Sequence, residues 1–271
     1  MIPSYRDVVQ ATPSDNKTLK EIMQIHPWKG GQPADTHRAI LRGLIKRVAQ
    51  LEEAGISCGV LDATQITYQG SKVTIRNEPT RNEPSQERFR EQIKIWVSKS
   101  FQVPAALHGN IESQRRDFLV EIGKEGDNFK QLESHPFLLS YEEKANFLME
   151  NITKLNNEHD GWRMKYKVTN VVKFPDLISR YEKGFSEVFL FHKRKYGRDY
   201  EENALGALWY SRNAVAHVPD DFGPNEKPPS IEEVGKRLSE FFPEMMLGFY
   251  KFVVKEGIDL RSEPGIINLE D

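Results

Sequence analysis

The chain has 271 residues, room for one large domain or two small ones with a proper hydrophobic core. Hydrophobic residues make up 38% and charged residues 29%, which excludes a disordered chain, and no run approaches the ~18 consecutive apolar residues of a membrane span. A net charge of −2 excludes a global basic field, so any affinity for nucleic acid must reside in a local patch.

In chain order, Ile40, Leu41, Leu44, Ile45, Val48 and Leu51 recur at three- and four-residue steps and predict a helix over 35–53 with one buried face, stopped by Gly55. Between 56 and 75, Val60, Leu61, Ile66, Tyr68, Val73 and Ile75 fall in short runs around Gln69-Gly70-Ser71, which predicts a small β-hairpin. The tandem RNEPTRNEPS over 76–85 has two prolines and no apolar residue and reads as a loop. Helical spacing resumes over 86–101 and 113–122. It returns strongly over 140–156, where Ser140 and Glu143 have the spacing of a capping box. Further helices are expected at 175–180, 186–195, 201–217, 230–241 and 243–255, with Ser230 and Glu233 as a second capping box. The fold class is therefore mainly α, all helix in the C-terminal half, with one small hairpin before it.

Cys58 is the only cysteine, so no intrachain disulfide can form, and MIPSYRDVVQATPSD lacks the basic start and apolar run of a signal peptide. A cytoplasmic or nuclear location is expected. The seven histidines show no metal-ligand spacing, and neither a Gly-rich phosphate loop nor a serine nucleophile elbow is present. No metal and no cofactor is expected, and no membrane partner.

The helix ending at His217 carries the chemistry-bearing residues. At ~100° per residue Leu205, Leu208 and Val215 share one sector, whereas Asn213 and His217, four apart, stack on nearly the opposite side. Arg212 sits nearer the apolar edge with a stem long enough to reach around. A guanidinium, an amide and an imidazole at one helix end suit a phosphodiester, since arginine pairs with phosphate oxygens and histidine exchanges a proton near neutral pH. The same residues are also common as surface and helix-end features, and spacing alone favours that plainer reading. Just upstream, His192-Lys193-Arg194-Lys195-Tyr196-Gly197-Arg198 is the densest basic run in the chain. Lys193, Arg194, Lys195 and Arg198 are candidate RNA-binding residues, with Tyr196 and Tyr200 as stacking faces; a solvated helix end is again the plainer alternative.

HPFLLSYEEKANFLMENITKL, DYEENALGALWYSRNAVAH and FFPEMMLGFYKFV occur in the order and with the motifs of a kinase-extension nuclease (KEN) domain, and residues 135–257 resemble that family. It includes ribonuclease L and the inositol-requiring kinase/endoribonuclease. The resemblance implies a nuclease centre of a tyrosine, an Arg-Asn pair and a histidine five residues after the arginine, matched here by Arg212, Asn213 and His217. Tyr200 is the best match for the tyrosine, with Tyr196 as the alternative. RNAVAH also fits the broader Arg-x(4)-His signature of HEPN-type ribonucleases.

In front of this segment, LEEAGISCGVLDATQITYQGSKVTI resembles a degenerate kinase catalytic loop in which Val60 stands for the catalytic aspartate and Gln65 for the metal-binding asparagine. Without that apparatus phosphoryl transfer is not expected. The implied organisation is a tail at 1–20, a degenerate kinase C-lobe-like region at 21–134, a KEN-type nuclease domain at 135–257 and a tail at 258–271. The implied activity is metal-independent endoribonuclease cleavage of RNA by attack of the ribose 2′-hydroxyl, giving a 2′,3′-cyclic phosphate. His217 is then the general acid, Tyr200 assists the 2′-hydroxyl, and Arg212 and Asn213 hold the phosphate. The implied assembly is a homodimer, or a heterodimer with a related KEN protein. The competing expectation is a catalytically silent relic that binds RNA or protein and modulates a full-length relative.

Overall fold

Apolar residues at three- and four-residue spacing become helices along most of the chain, which is mainly α with two small sheets. The computed structural model describes residues 17–22, 24–54, 64–69, 72–75, 86–103, 110–124, 127–167, 174 and 182–258. No helix among them is long and apolar enough to cross a membrane. The chain forms two units, Met1–Gln102 with Phe118–Glu133, and Val103–Asp117 with Ser134–Asp271.

In the first unit β1 (Lys17–Thr18) leads into the short α1 (Leu19–Ile22), and β2 (Trp28–Lys29) pairs with β3 (Gln32–Pro33). Helix α2 (Asp35–Glu53) has the bounds that its periodicity predicts and buries Ile40, Leu41, Leu44, Ile45 and Val48. The hairpin is formed by β4 (Ile66–Gln69) and β5 (Lys72–Ile75), antiparallel with Tyr68 opposite Val73, and β1 adds to the free side of β4. Helix α3 (Gln86–Ser100) buries Ile93 and Val97, and the Arg90 guanidinium clasps Glu52 of α2, with one contact of 2.8 Å. Two-residue strands such as β1, β2 and β3 are too short for alternation to reveal, and the sequence carries no sign of them. Val60 and Leu61, the kinase-like positions 58–63 and the RNEPTRNEPS loop lie outside the described residues.

Helix α4 (Asn110–Ile122) begins three residues earlier than the spacing suggests, and the division between the units falls within it. The second unit contains α5 (Tyr141–Glu158), α6 (Trp162–Lys167), α7 (Phe185–Tyr196), α8 (Ala204–His217), α9 (Ile231–Phe241) and α10 (Met245–Lys255). The helix expected at 175–180 lies outside the described residues, and α6 was not anticipated. Both capping boxes form: Ser140 and Ser230 accept from the backbone N–H of Glu143 and Glu233, whose carboxylates reach back to the cap N–H groups. In HPFLLS, His135 is fully buried; its Nδ1 accepts the Phe137 N–H at 3.1 Å, which leaves Nε2 to donate to Asp117 at 3.3 Å.

The core joins Leu148, Ile152 and Leu155 of α5, Ala207, Leu208 and Tyr210 of α8, Val234 and Leu238 of α9, and Phe249 and Val253 of α10. Helices α5 and α9 share the most extensive contact between described elements, and Gly235 is the reason they approach so closely. A Cβ there would stand 2.3 Å from the Tyr141 carbonyl oxygen, a backbone atom that cannot swing aside. Replacing Gly235 by alanine therefore forces the two helices apart. We expect Gly235→Ala to lower stability by about 1–3 kcal/mol, the usual cost of overpacking, read as a lower urea midpoint at unchanged slope.

Candidate active site

Helix α7 is held in the core by Phe185, Val188 and Phe189, and its exposed side carries the basic run. It stops at Gly197, whose φ of 66° is the left-handed conformation that ends many helices and that residues with a side chain adopt at a cost. The chain then doubles back so that Tyr200 lies under the helix it has just left. Its ring is 6% exposed and stacks on His192, with centroids 3.9 Å apart and planes at 23°, and on Phe174 at 5.8 Å. Edge-to-face contact with Tyr210 of α8 completes its packing.

Helix α8 starts at an Asn203 cap, whose side chain accepts the Gly206 N–H at 2.8 Å, three residues later than the sequence pattern suggests. Its buried face also differs from the helical-wheel expectation. Ala204, Ala207, Leu208, Ser211 and Ala214 are buried, while Leu205 and Val215 are only partly so, because the small residues admit neighbouring helices closely. Past His217 the chain continues as a 3-10 turn, Val218–Asp221, with Pro219 in its first positions, and this turn is tied to the start of α7, where the Gly184 N–H donates to Asp221 at 2.9 Å.

A cleft of about 420 Å³ opens between α7 and the C-terminal half of α8. Tyr200, Arg212, Asn213 and His217 all line it, as do Arg194, Lys195 and the alternative tyrosine, Tyr196. Arg212 donates to Asn213 Oδ1 at 3.1 Å, and Asn213 Nδ2 donates to the Tyr200 hydroxyl oxygen at 2.9 Å. This relay leaves the Tyr200 O–H free to act as donor toward whatever enters. His217 has a side chain 58% exposed, and its Nδ1 lies 3.1 Å from Asp220 Oδ2. The carboxylate can only accept, so Nδ1 carries a hydrogen and Nε2 is the atom left for proton exchange. The two tyrosines are placed differently: Tyr200 is bonded to Asn213, whereas Tyr196 is 56% exposed. Burial raises the Tyr200 phenol above its ordinary range, against the opposing Asn213 N–H, so a phenolate base is disfavoured there and a hydrogen-bonding role fits better.

The candidate RNA-binding residues divide. Arg194 pairs with Glu187 at 3.0 Å, and Lys195 lies over the Phe191 and Tyr196 rings, 5.7 and 5.3 Å from their centroids, all within the cleft. Lys193 and Arg198 do not line it; Lys193 pairs with Asp199 at 3.2 Å. Several cleft residues carry no site signal in the sequence, among them Glu187, Phe191 and the acidic pair Asp220 and Asp221, and His192 is seen there only as part of the basic run. A histidine eight residues before the tyrosine, with a helix-ending glycine between them, is the signal that brings His192 back over Tyr200. Charges in the cleft nearly balance, with Arg194, Lys195 and Arg212 facing Glu187, Asp220 and Asp221.

Because the Tyr200 ring is buried and its hydroxyl faces the cleft, ring and hydroxyl should separate on mutation. We expect Tyr200→Phe to stay within about 1 kcal/mol of the wild-type stability, while Tyr200→Ala loses about 3–5 kcal/mol, both read by urea denaturation.

No protein-family model matches the chain, and no curated protein is significantly similar to it.

Proposed function

We propose that the chain is an endoribonuclease of the KEN type that cleaves RNA through the 2′-hydroxyl, with its centre in the cleft between α7 and α8. The observation that carries this reading is the convergence of Tyr200, Arg212, Asn213 and His217 on one solvent-open cleft, with an aromatic and basic wall beside them. Structural accident explains an exposed histidine at a helix end, but gives no reason for an arginine–asparagine–tyrosine relay beside it. In cleavage the 2′-oxygen bonds to phosphorus, the P–O5′ bond breaks, and a 2′,3′-cyclic phosphate and a 5′-hydroxyl result. His217 Nε2 delivers the proton to the departing 5′-oxygen, and Asp220 keeps the ring in the orientation that allows it. Arg212 offsets the charge that gathers on the phosphoryl oxygens, and the Tyr200 hydroxyl and Asn213 fix the phosphate.

The stacking wall of Phe191, Tyr196 and Lys195 suits an unpaired nucleotide better than a duplex, since bases held in a helix cannot offer a face to it. By resemblance we also assign the region before residue 135 to a degenerate kinase C-lobe without phosphoryl transfer, and the working unit to a dimer.

On a fluorescent single-stranded RNA in EDTA, the purified chain should generate cyclic-phosphate ends, with a rate per protomer that rises with protein concentration. His217→Ala should lower the rate by about 100-fold or more with an unchanged circular dichroism spectrum. Equal cleavage by mutant and wild type would reject the site, and binding without cleavage would point to the silent relic. Asp220→Asn should cost about tenfold or less, because an ion pair whose carboxylate side chain is 71% exposed contributes little.

A further inference from the structure

We infer that His192 is the general base of this centre, taking the proton from the attacking 2′-hydroxyl, so that cleavage runs on a pair of histidines with His217 as the acid. The inference rests on the ribonuclease reading above and concerns the one step of that chemistry for which Tyr200 is poorly suited.

Three observations on His192 support it. First, it lines the same cleft as His217, Arg212, Asn213 and Tyr200, and lies on α7, opposite the α8 residues that hold the phosphate and supply the acid. Second, its tautomer is set by the backbone. Nδ1 lies 3.1 Å from the Arg198 carbonyl oxygen, which has no hydrogen to give, so Nδ1 must donate and the lone pair of the neutral ring resides on Nε2. No described residue hydrogen-bonds that Nε2. The Gly197 turn that brings Arg198 around the end of α7 is thus also the device that aims the ring. Third, the ring is clamped flat on Tyr200 at 3.9 Å and lies close to Tyr196 at 4.8 Å, so its edge is presented in one orientation. A base must be neutral to act, and burial lowers the His192 pKa below its ordinary value. The Arg198 carbonyl hydrogen bond and the Asp199 carboxylate oppose the shift, and the Arg198 guanidinium adds to it. Tyr196 and Tyr200 face the ring, and Arg212 lines the cleft from α8.

The proton balance closes. Nε2 of neutral His192 accepts the 2′-hydroxyl hydrogen as O2′ bonds to phosphorus; the P–O5′ bond breaks, and O5′ takes the proton from Nε2 of protonated His217. The enzyme is left with His192 charged and His217 neutral, and exchange with water restores both. No water is consumed and no oxidant or metal enters the step.

The test uses the full chain and a DNA oligonucleotide with a single ribonucleotide, made in two forms. One has the natural 5′-oxygen leaving group, and the other has sulfur in that position, which departs without a proton. His192→Asn retains an amide N–H that can reach the Arg198 carbonyl but has no proton-accepting nitrogen, which separates ring placement from base catalysis. His192→Gln serves the same purpose should the asparagine variant fail to fold, with folding judged by circular dichroism and thermal melting. We expect His192→Asn to lower kcat by about 100-fold or more on both substrates with little change in KM. His217→Ala should recover most of its loss on the sulfur substrate alone. The wild-type rate should fall toward low pH as His192 becomes protonated, and the variant's residual rate should lack that fall. Wild-type cleavage by both His192 variants would overturn the base assignment while leaving the ribonuclease reading intact, and so would recovery of a His192 variant on the sulfur substrate. A wild-type chain that cleaves neither substrate would overturn the ribonuclease reading and this inference with it.

Discussion

The hydrogen bond from the Asn213 amide to the Tyr200 hydroxyl ties α8 to the segment leaving α7, and the form of the cleft follows from that tie. Its net worth is about 1 kcal/mol, small beside what the aromatic cluster around it contributes. Phe174, Phe189, Tyr200, Tyr210 and Phe242 pack as a nest of rings with centroids between 5.4 and 6.3 Å apart, and that nest supplies the stability. The hydrogen bond supplies orientation. Arg212 fixes Oδ1 of Asn213 as the acceptor and so forces Nδ2 to be the donor, which in turn decides that the Tyr200 hydrogen points away from the amide. Two helices are placed by packing, and the polar atoms between them by a relay of two bonds.

On the proposed reading, the two histidines are given opposite tasks by their surroundings. His217 sits at an exposed helix end against the Asp220 carboxylate, whereas His192 lies on an aromatic face at the edge of the core, where burial favours a neutral ring. In both rings Nδ1 is committed to an oxygen that only accepts, a carboxylate in one case and a backbone carbonyl in the other. Each therefore keeps Nε2 as the nitrogen left for proton exchange, and on the proposed reading one ring accepts a proton there and the other gives one.

Much of the helical framework was legible because it rests on local rules. The bounds of α2 follow from apolar spacing, and the starts of α5 and α9 from Ser140 with Glu143 and Ser230 with Glu233. What the pattern concealed depends on tertiary neighbours. The buried face of α8 is centred on alanines and a serine that carry little hydrophobic signal, so a wheel drawn through leucine and valine points slightly aside. The helix starts only after Asn203, because the Asn203 side chain caps the Gly206 N–H and leaves Glu201 and Glu202 outside the helix. Arg212, Asn213 and His217 could be read together since one helix presents them all. His192 could not, because its place in the cleft requires the chain to reverse at Gly197, and in a linear reading it dissolves into the lysines and arginine beside it.

The near balance of charge in the cleft has a consequence for how such a centre would meet RNA. Three cations face three carboxylates, and Arg194 is already engaged by Glu187, so few counterions would leave the nucleic acid on docking. On the proposed reading, attraction from a distance is weak and the grip depends on short-range stacking and on the phosphate clasp. An enzyme built this way is quiet toward RNA it merely collides with, and its throughput is governed by whatever raises the local abundance of substrate. The cleft would then supply the chemistry, with recruitment left to something else.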